Sequence, residues 1–187
     1  SLVTDVVYFD GSGLISPCFD PLLGETQMTL RHSTEVSRDM DGDGVTEVPL
    51  TELLPGYGER SETDRIYLTV WNRFDGSRFT EVLCTDIFAA GGFRFTFPDR
   101  WRGSVTLISD STNRMRSYRL YDEEKETVGA EILRVRAYDI EAYERFDHEG
   151  LIELASNETT VWVARPLMTQ GAYALTEDEI KTLFSVL

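Results

Sequence analysis

The chain has 187 residues, 41% hydrophobic and 27% charged, enough apolar material for a buried core in one large or two small domains. Its 33 acidic and 18 basic residues leave a net charge of −15, which excludes a sequence-independent grip on nucleic-acid phosphates, a task for clustered Lys and Arg. No run approaches the roughly 20 apolar residues of a membrane span, and the opening Ser1-Leu2-Val3-Thr4-Asp5 lacks the charged and apolar regions of a signal peptide; its missing Met suggests a trimmed or processed chain.

Short β-branched and aromatic runs bounded by turn residues dominate, and they predict a β-rich protein. The first strand is Val6-Val7-Tyr8-Phe9. It leads into Asp10-Gly11-Ser12, and the tetrapeptide Phe-Asp-Gly-Ser returns at Phe74-Asp75-Gly76-Ser77, 65 residues on. Asp-Gly favours tight hairpin turns. The recurrence reads either as a propeller-type repeat or as two similar hairpins. Cys18 and Cys84 are the only cysteines, 66 positions apart and without a CxxC or Cys/His cluster, so they cannot assemble a structural zinc site. A single disulfide in an exported protein and two buried thiols both fit them.

The run Asp39-Met40-Asp41-Gly42-Asp43-Gly44-Val45-Thr46-Glu47 places carboxylates at positions 1, 3, 5 and 9 of a loop, with glycine at position 6. Calcium is a hard cation that takes six to eight oxygens, and alternate carboxylates, a backbone carbonyl at position 7 (Val45) and a glycine for the sharp turn suit it. Position 12 is Leu50, so the bidentate Glu of an EF-hand is missing, and Val48-Pro49-Leu50-Thr51 reads as a strand start. Asp39, Asp41, Asp43, Val45 and Glu47 are therefore the candidate ligands of a structural Ca2+, the plain alternative being a solvated acidic turn. Nothing nearby supplies a nucleophile or base. A loop with the millimolar or submillimolar affinity of extracellular modules would not fill in a low-calcium cytosol, which argues for export.

Further strands are predicted at Ile66 to Trp71, Phe79 to Leu83, Phe93 to Phe97, Ser104 to Ile108, Arg116 to Tyr121, Glu131 to Tyr138 and Thr160 to Val163. Two helices are expected: Ile140 to Phe146, with Asp139 as cap, and Glu177 to Val186, where Thr176 and Glu179 form a capping box. Residues 1–88 carry 16 acids and 6 Arg with no Lys, whereas residues 89–187 carry 17 acids and 12 bases. That shift places a boundary at the small-residue stretch Ala89-Ala90-Gly91-Gly92, giving a β-rich module (1–88) and a small α+β domain (89–187).

The order of the loop, the Trp-containing strand with its Asp-Gly hairpin, and then Gly92-Phe93-Arg94-Phe95-Thr96-Phe97-Pro98-Asp99-Arg100-Trp101 resembles the C-terminal half of uncharacterised surface lipoproteins of anaerobic Gram-positive bacteria. The loop itself resembles those of FG-GAP and VCBS repeats, and of dockerin-like calcium loops. The second block is similar in layout to PsbP-like domains. The resemblance covers most of the chain and implies an antiparallel β-meander or propeller-blade-like module, followed by a small antiparallel sheet covered by helices. It also implies an extracytoplasmic place, with lipid anchoring at the cell surface in the full-length precursor. It brings no catalytic residues, and no lipid-bearing N-terminal Cys is present in this chain.

An active site is hard to assemble. His32 and His148 are the only histidines, and neither has a recognisable partner; there is no GxSxG elbow, and no glycine turn has the Lys or helix of a phosphate loop. Glu123-Glu124 and Asp178-Glu179 are sequence neighbours, which seldom face each other across a cleft as glycosidase carboxylates must. Trp71, Trp101 and Trp162 sit in or beside apolar strands, where packing is the expected role and sugar stacking the alternative. Alternation puts Arg134 and Arg136 on one sheet face, and Arg116 from a neighbouring strand joins them in a candidate anion-binding patch, against which stands a face of ordinary cross-strand ion pairs. The expectation is a non-enzymatic, calcium-stabilised interaction or scaffold module with a protein or glycan partner at the cell surface, the alternative being a carbohydrate-binding or hydrolytic surface protein.

Overall fold

A computed structural model describes residues 2–31, 33–145 and 147–187. Strand accounts for 45% of the chain and helix for 11%, and the strand pairings are antiparallel, so the β-rich class read from the alternation holds. The chain divides into two compact units: Ser1–Glu52 with Tyr67–Thr85, and Leu53–Ile66 with Asp86–Leu187.

The first unit contains β1 (Tyr8–Phe9), β2 (Leu14–Ile15), β3 (Phe19–Asp20) and β4 (Glu25–Thr26), which form two minimal hairpins, β1-β2 and β3-β4. It also holds most of β5 (Val48–Leu53), all of β6 (Tyr67–Phe74) and most of β7 (Phe79–Phe88), in the order β5-β6-β7. The two Phe-Asp-Gly-Ser turns are built alike. Asp10 Oδ1 accepts from Ser12 N (2.7 Å), Gly13 N (2.9 Å) and Ser12 Oγ (2.8 Å), and Asp75 Oδ1 from Ser77 N (2.9 Å), Arg78 N (3.0 Å) and Ser77 Oγ (2.8 Å). These bonds hold both carboxyls below the usual range, Asp75 at about 2, with the Ser77 hydroxyl its largest cause.

The interior of this unit is small and mixed. Leu68, Val70, Trp71, Val48, Cys18 and Cys84 are buried, but so are Thr29, Arg31, Glu47 and Asn72. No disulfide joins the two cysteines, and burial pushes the Cys18 thiol pKa up. Arg31 donates from Nη1 to Thr4 Oγ1 (3.0 Å) and Thr29 O (3.2 Å), and from Nε and Nη2 to Glu35 O (3.0 and 2.9 Å). Meanwhile Phe9 (66% exposed), Leu14 (77%) and Leu22 (94%) face solvent.

The second unit contains β8 (Phe93–Thr96), β9 (Val105–Asp110), β10 (Met115–Asp122), β11 (Thr127–Asp139), α1 (Ile140–Tyr143), β12 (Ile152–Ser156), β13 (Thr160–Pro166), α2 (Glu177–Leu183) and β14 (Phe184–Val186). Its large sheet has the order β12-β13-β11-β10-β9. Alternation along β8 turns Phe93, Phe95 and Phe97 inward, where Phe95 and Phe97 meet Trp101 and Tyr118 at ring-centroid distances of 5.2 to 6.4 Å. Gly91 permits the close approach of Phe88 and Phe93: a Cβ there would lie 2.5 Å from Phe88 Cδ1 and 2.7 Å from Phe93 Cε1. The segment before β6 is held by Tyr57 Oη, which donates to Leu107 O (2.7 Å), and by Thr106 Oγ1, which donates to Pro55 O (2.7 Å).

Both helices are shorter than the sequence suggests. α1 ends at Tyr143, with Asp139 in the capping position but making no side-chain cap, and Phe146 lies outside the described residues. α2 has both halves of the Thr176/Glu179 capping box, yet Phe184–Val186 leaves the helix and pairs with β8, Phe184 opposite Phe95. Burial of Phe184 beside Phe93 and a free strand edge outweigh local helical propensity there.

Candidate metal centre

The loop between Arg38 and Glu47 is closed at its base by a reciprocal backbone pair, Arg38 N to Glu47 O (3.1 Å) and Glu47 N to Arg38 O (2.9 Å). Within it, Gly42 and Gly44 adopt φ of 82° and 87°, the left-handed region that glycine enters without strain. Their N–H groups turn inward onto Asp39, Gly42 N to Oδ1 (2.7 Å) and Gly44 N to Oδ2 (2.9 Å). The same two bonds, Gly44 first, hold the Asp39 carboxyl below its ordinary pKa. Asp43 N donates to Asp41 Oδ1 (3.2 Å) and Val45 N to Asp43 Oδ1 (2.8 Å).

Folding thereby gathers Asp39, Asp41 and Asp43, all exposed, so that one carboxylate oxygen from each lies within 4.8 Å of the others. Glu47 is different, for it is fully buried. Its Oε2 accepts from Met40 N (2.7 Å), while its Oε1 has no hydrogen-bond partner. Val45 stands at the exposed tip of the loop. A buried carboxylate oxygen without a donor is costly unless a cation satisfies it, and an all-oxygen cluster of this composition suits a hard divalent ion.

Sequence reasoning missed Arg73, which stands on β6 opposite Thr80. Its Nη2 lies 3.1 Å from Asp41 Oδ2, 2.5 Å from Asp43 Oδ2 and 3.6 Å from Glu47 Oε1. No local signal ties residue 73 to a loop thirty positions earlier; only the strand order brings them together.

Comparison with protein-family models, with curated proteins and with solved structures finds no match for this chain.

The proposed arginine patch does not form as expected. The register pairs Arg116 with Val135 and Ser117 with Arg134, which puts Arg116 on the opposite sheet face from Arg134 and Arg136. Arg116 is buried, ion-paired with Asp86 (3.1 Å) and seated over the Phe88 ring (4.2 Å), and Tyr118 donates to the other Asp86 oxygen (2.8 Å). Burial, and then the Asp86 charge, push the Tyr118 hydroxyl pKa well above its usual value. Arg134 grips Glu131 through Nε (2.8 Å) and Nη2 (2.6 Å); burial alone would raise the Glu131 pKa, but these bonds leave it lowered. Arg136 donates to Asn113 O (3.0 Å) and lies over Tyr138. Asn113 and Glu131 thus already occupy the two arginines of the shared face.

All three tryptophans are packed inside and bonded through Nε1: Trp71 to Thr85 Oγ1 (2.9 Å), Trp101 to Tyr173 O (2.8 Å) and Trp162 to Gly91 O (2.7 Å). His148 Nε2 contacts Tyr143 O (2.8 Å) and its ring stacks on Tyr143 at 3.9 Å; His32 lies outside the described residues. A groove of about 640 Å³ in the second unit is lined by Ile152, Pro166, Gln170 and Leu175 among others, and its one ionisable lining residue, Glu177, is held by Lys181 at 2.6 Å. Among the described residues no helix is long and apolar enough to cross a membrane.

Proposed function

We propose that the Asp39–Glu47 loop is a structural calcium site, and that the chain is an extracytoplasmic interaction or scaffold module whose first unit the ion stabilises. The observation that carries this reading is Glu47 Oε1, buried and without a hydrogen-bond donor, beside three aspartates whose oxygens already converge. Asp39, Asp41, Asp43 and Glu47 supply the carboxylates, and the Val45 carbonyl completes the set. When bound, the ion supplies charge neutralisation and a fixed loop geometry, with no open position for Lewis-acid work. The loop is attached through the Arg38/Glu47 backbone pair to a unit with a small apolar interior, so ordering it adds a constraint that hydrophobic burial does not supply there.

The same reading places the protein outside the cytosol, where calcium is abundant, as a surface lipoprotein module with a propeller-blade-like first part, a PsbP-like second part and a protein or glycan partner. A role in interaction rather than catalysis agrees with His148 engaging a carbonyl and a tyrosine ring instead of a carboxylate. The test is a thermal melt in millimolar calcium against chelator, repeated for Asp41→Ala and Asp43→Ala. Calcium at about 100 times its dissociation constant stabilises by about 2.7 kcal/mol, and both variants should lose the rise in Tm. An unchanged Tm in the parent chain would sink the reading.

A further inference from the structure

The loop carboxylates have two kinds of oxygen. Backbone N–H groups engage both oxygens of Asp39, Oδ1 of Asp41, Oδ1 of Asp43 and Oε2 of Glu47. The remaining three, Asp41 Oδ2, Asp43 Oδ2 and Glu47 Oε1, all face the single nitrogen Nη2 of Arg73. That nitrogen has two hydrogens for three oxygens. The aspartates lie closest, and Glu47 Oε1, at 3.6 Å, is left in the guanidinium's field without a proton to accept. Arg73 Nε is itself buried and without an acceptor, so the fit is imperfect on both sides.

We propose that Arg73 is the loop's built-in counter-cation, and that calcium binding is an exchange in which the three oxygens pass from the guanidinium to the ion. The inference rests on the calcium reading above and adds what sets its affinity. A guanidinium offers directional hydrogen bonds, whereas a calcium ion accepts oxygens from many directions and satisfies all three at once. The two cations repel each other, so each weakens the other's hold on the same carboxylates. Arg73 thus keeps the acidic loop folded when calcium is scarce and raises the concentration needed to fill it.

The experiment is calorimetric titration with calcium alone of the full chain and of Arg73→Gln, with melts of both in chelator. Arg73→Gln should bind about ten-fold tighter, equivalent to about 1.4 kcal/mol, and melt lower in chelator. Binding by the variant where the parent chain shows none would overturn both the calcium reading and the exchange, since Arg73 would then be the site's permanent occupant. If both bind equally, or the variant binds more weakly, Arg73 is no competitor and the calcium reading stands without it; if neither binds, both readings fall. Should Arg73→Gln not fold, the parent chain still decides: the Arg73 Nε–H resonance must move in step with calcium saturation, and a resonance that stays in place overturns the proposal.

Discussion

The two units solve the same problem with different materials. In the second, Phe93, Phe95, Phe97, Trp101 and Tyr118 are essentially inaccessible and packed ring against ring. In the first, a fully buried Arg31 and Glu47 sit inside while Leu14 and Leu22 stand outside, and four of its strands are two residues long. Hydrophobic burial holds one unit; the other depends on charged groups meeting their partners. The lesson is one of sensitivity: the second should respond chiefly to volume changes, and the first to changes in its buried charges as well as in its smaller apolar interior.

The largest effect is expected from Trp101→Ala. Removing the ring that stacks on Phe95 and meets Phe97 edge-on should cost about 3–5 kcal/mol, read by urea unfolding, with amide exchange accelerated in β9 to β11. A loss under about 1 kcal/mol would break the comparison. Asp86→Ala should cost a similar amount by leaving Arg116 buried and unpaired, whereas Tyr118→Phe, which removes only the donor to Asp86, should cost about 1–3 kcal/mol. Those two variants test a polar anchor, Asp86 with Arg116 and Tyr118, inside the apolar unit. Thr176→Ala, which abolishes the α2 capping box, should cost about 1 kcal/mol in the same unfolding experiment.

The smallest effect belongs to the first unit and to acid. Asp75 is held at about 2 by the Ser77 and Arg78 bonds of its turn, below the 3.8 of an unperturbed aspartate. Its folded pKa is depressed, so its contribution is present above the ordinary value and fades as pH falls toward 2. Urea midpoints measured between about pH 4 and pH 2 should therefore fall less steeply in Asp75→Ala than in the parent chain, and parallel slopes would remove this turn from the acid response.

Much of this contrast was legible from local pattern. Alternation located the long strands, the Thr176/Glu179 spacing located the start of α2, and the Asp-x-Asp-Gly-Asp spacing marked the three aspartates that lie close together in the loop. Pairing partners were not legible, because they are set between distant segments. The end of α2 becomes a strand only because β8 lies beside it. Arg116 faces inward because of a register that no local run records, and Arg73 reaches the loop only through the order β5-β6-β7. The charges that govern the candidate site are thus the ones that sequence spacing places least well.

Cys18 and Cys84, each 2% exposed, both belong to the first unit, and the second has no cysteine at all. A thiol reagent added to the native protein would therefore react only when that one unit opens, at a rate set by how often it does so. The chain carries its own chemical clock for the unit that holds the acidic loop, and its aromatic part stays silent to the same reagent.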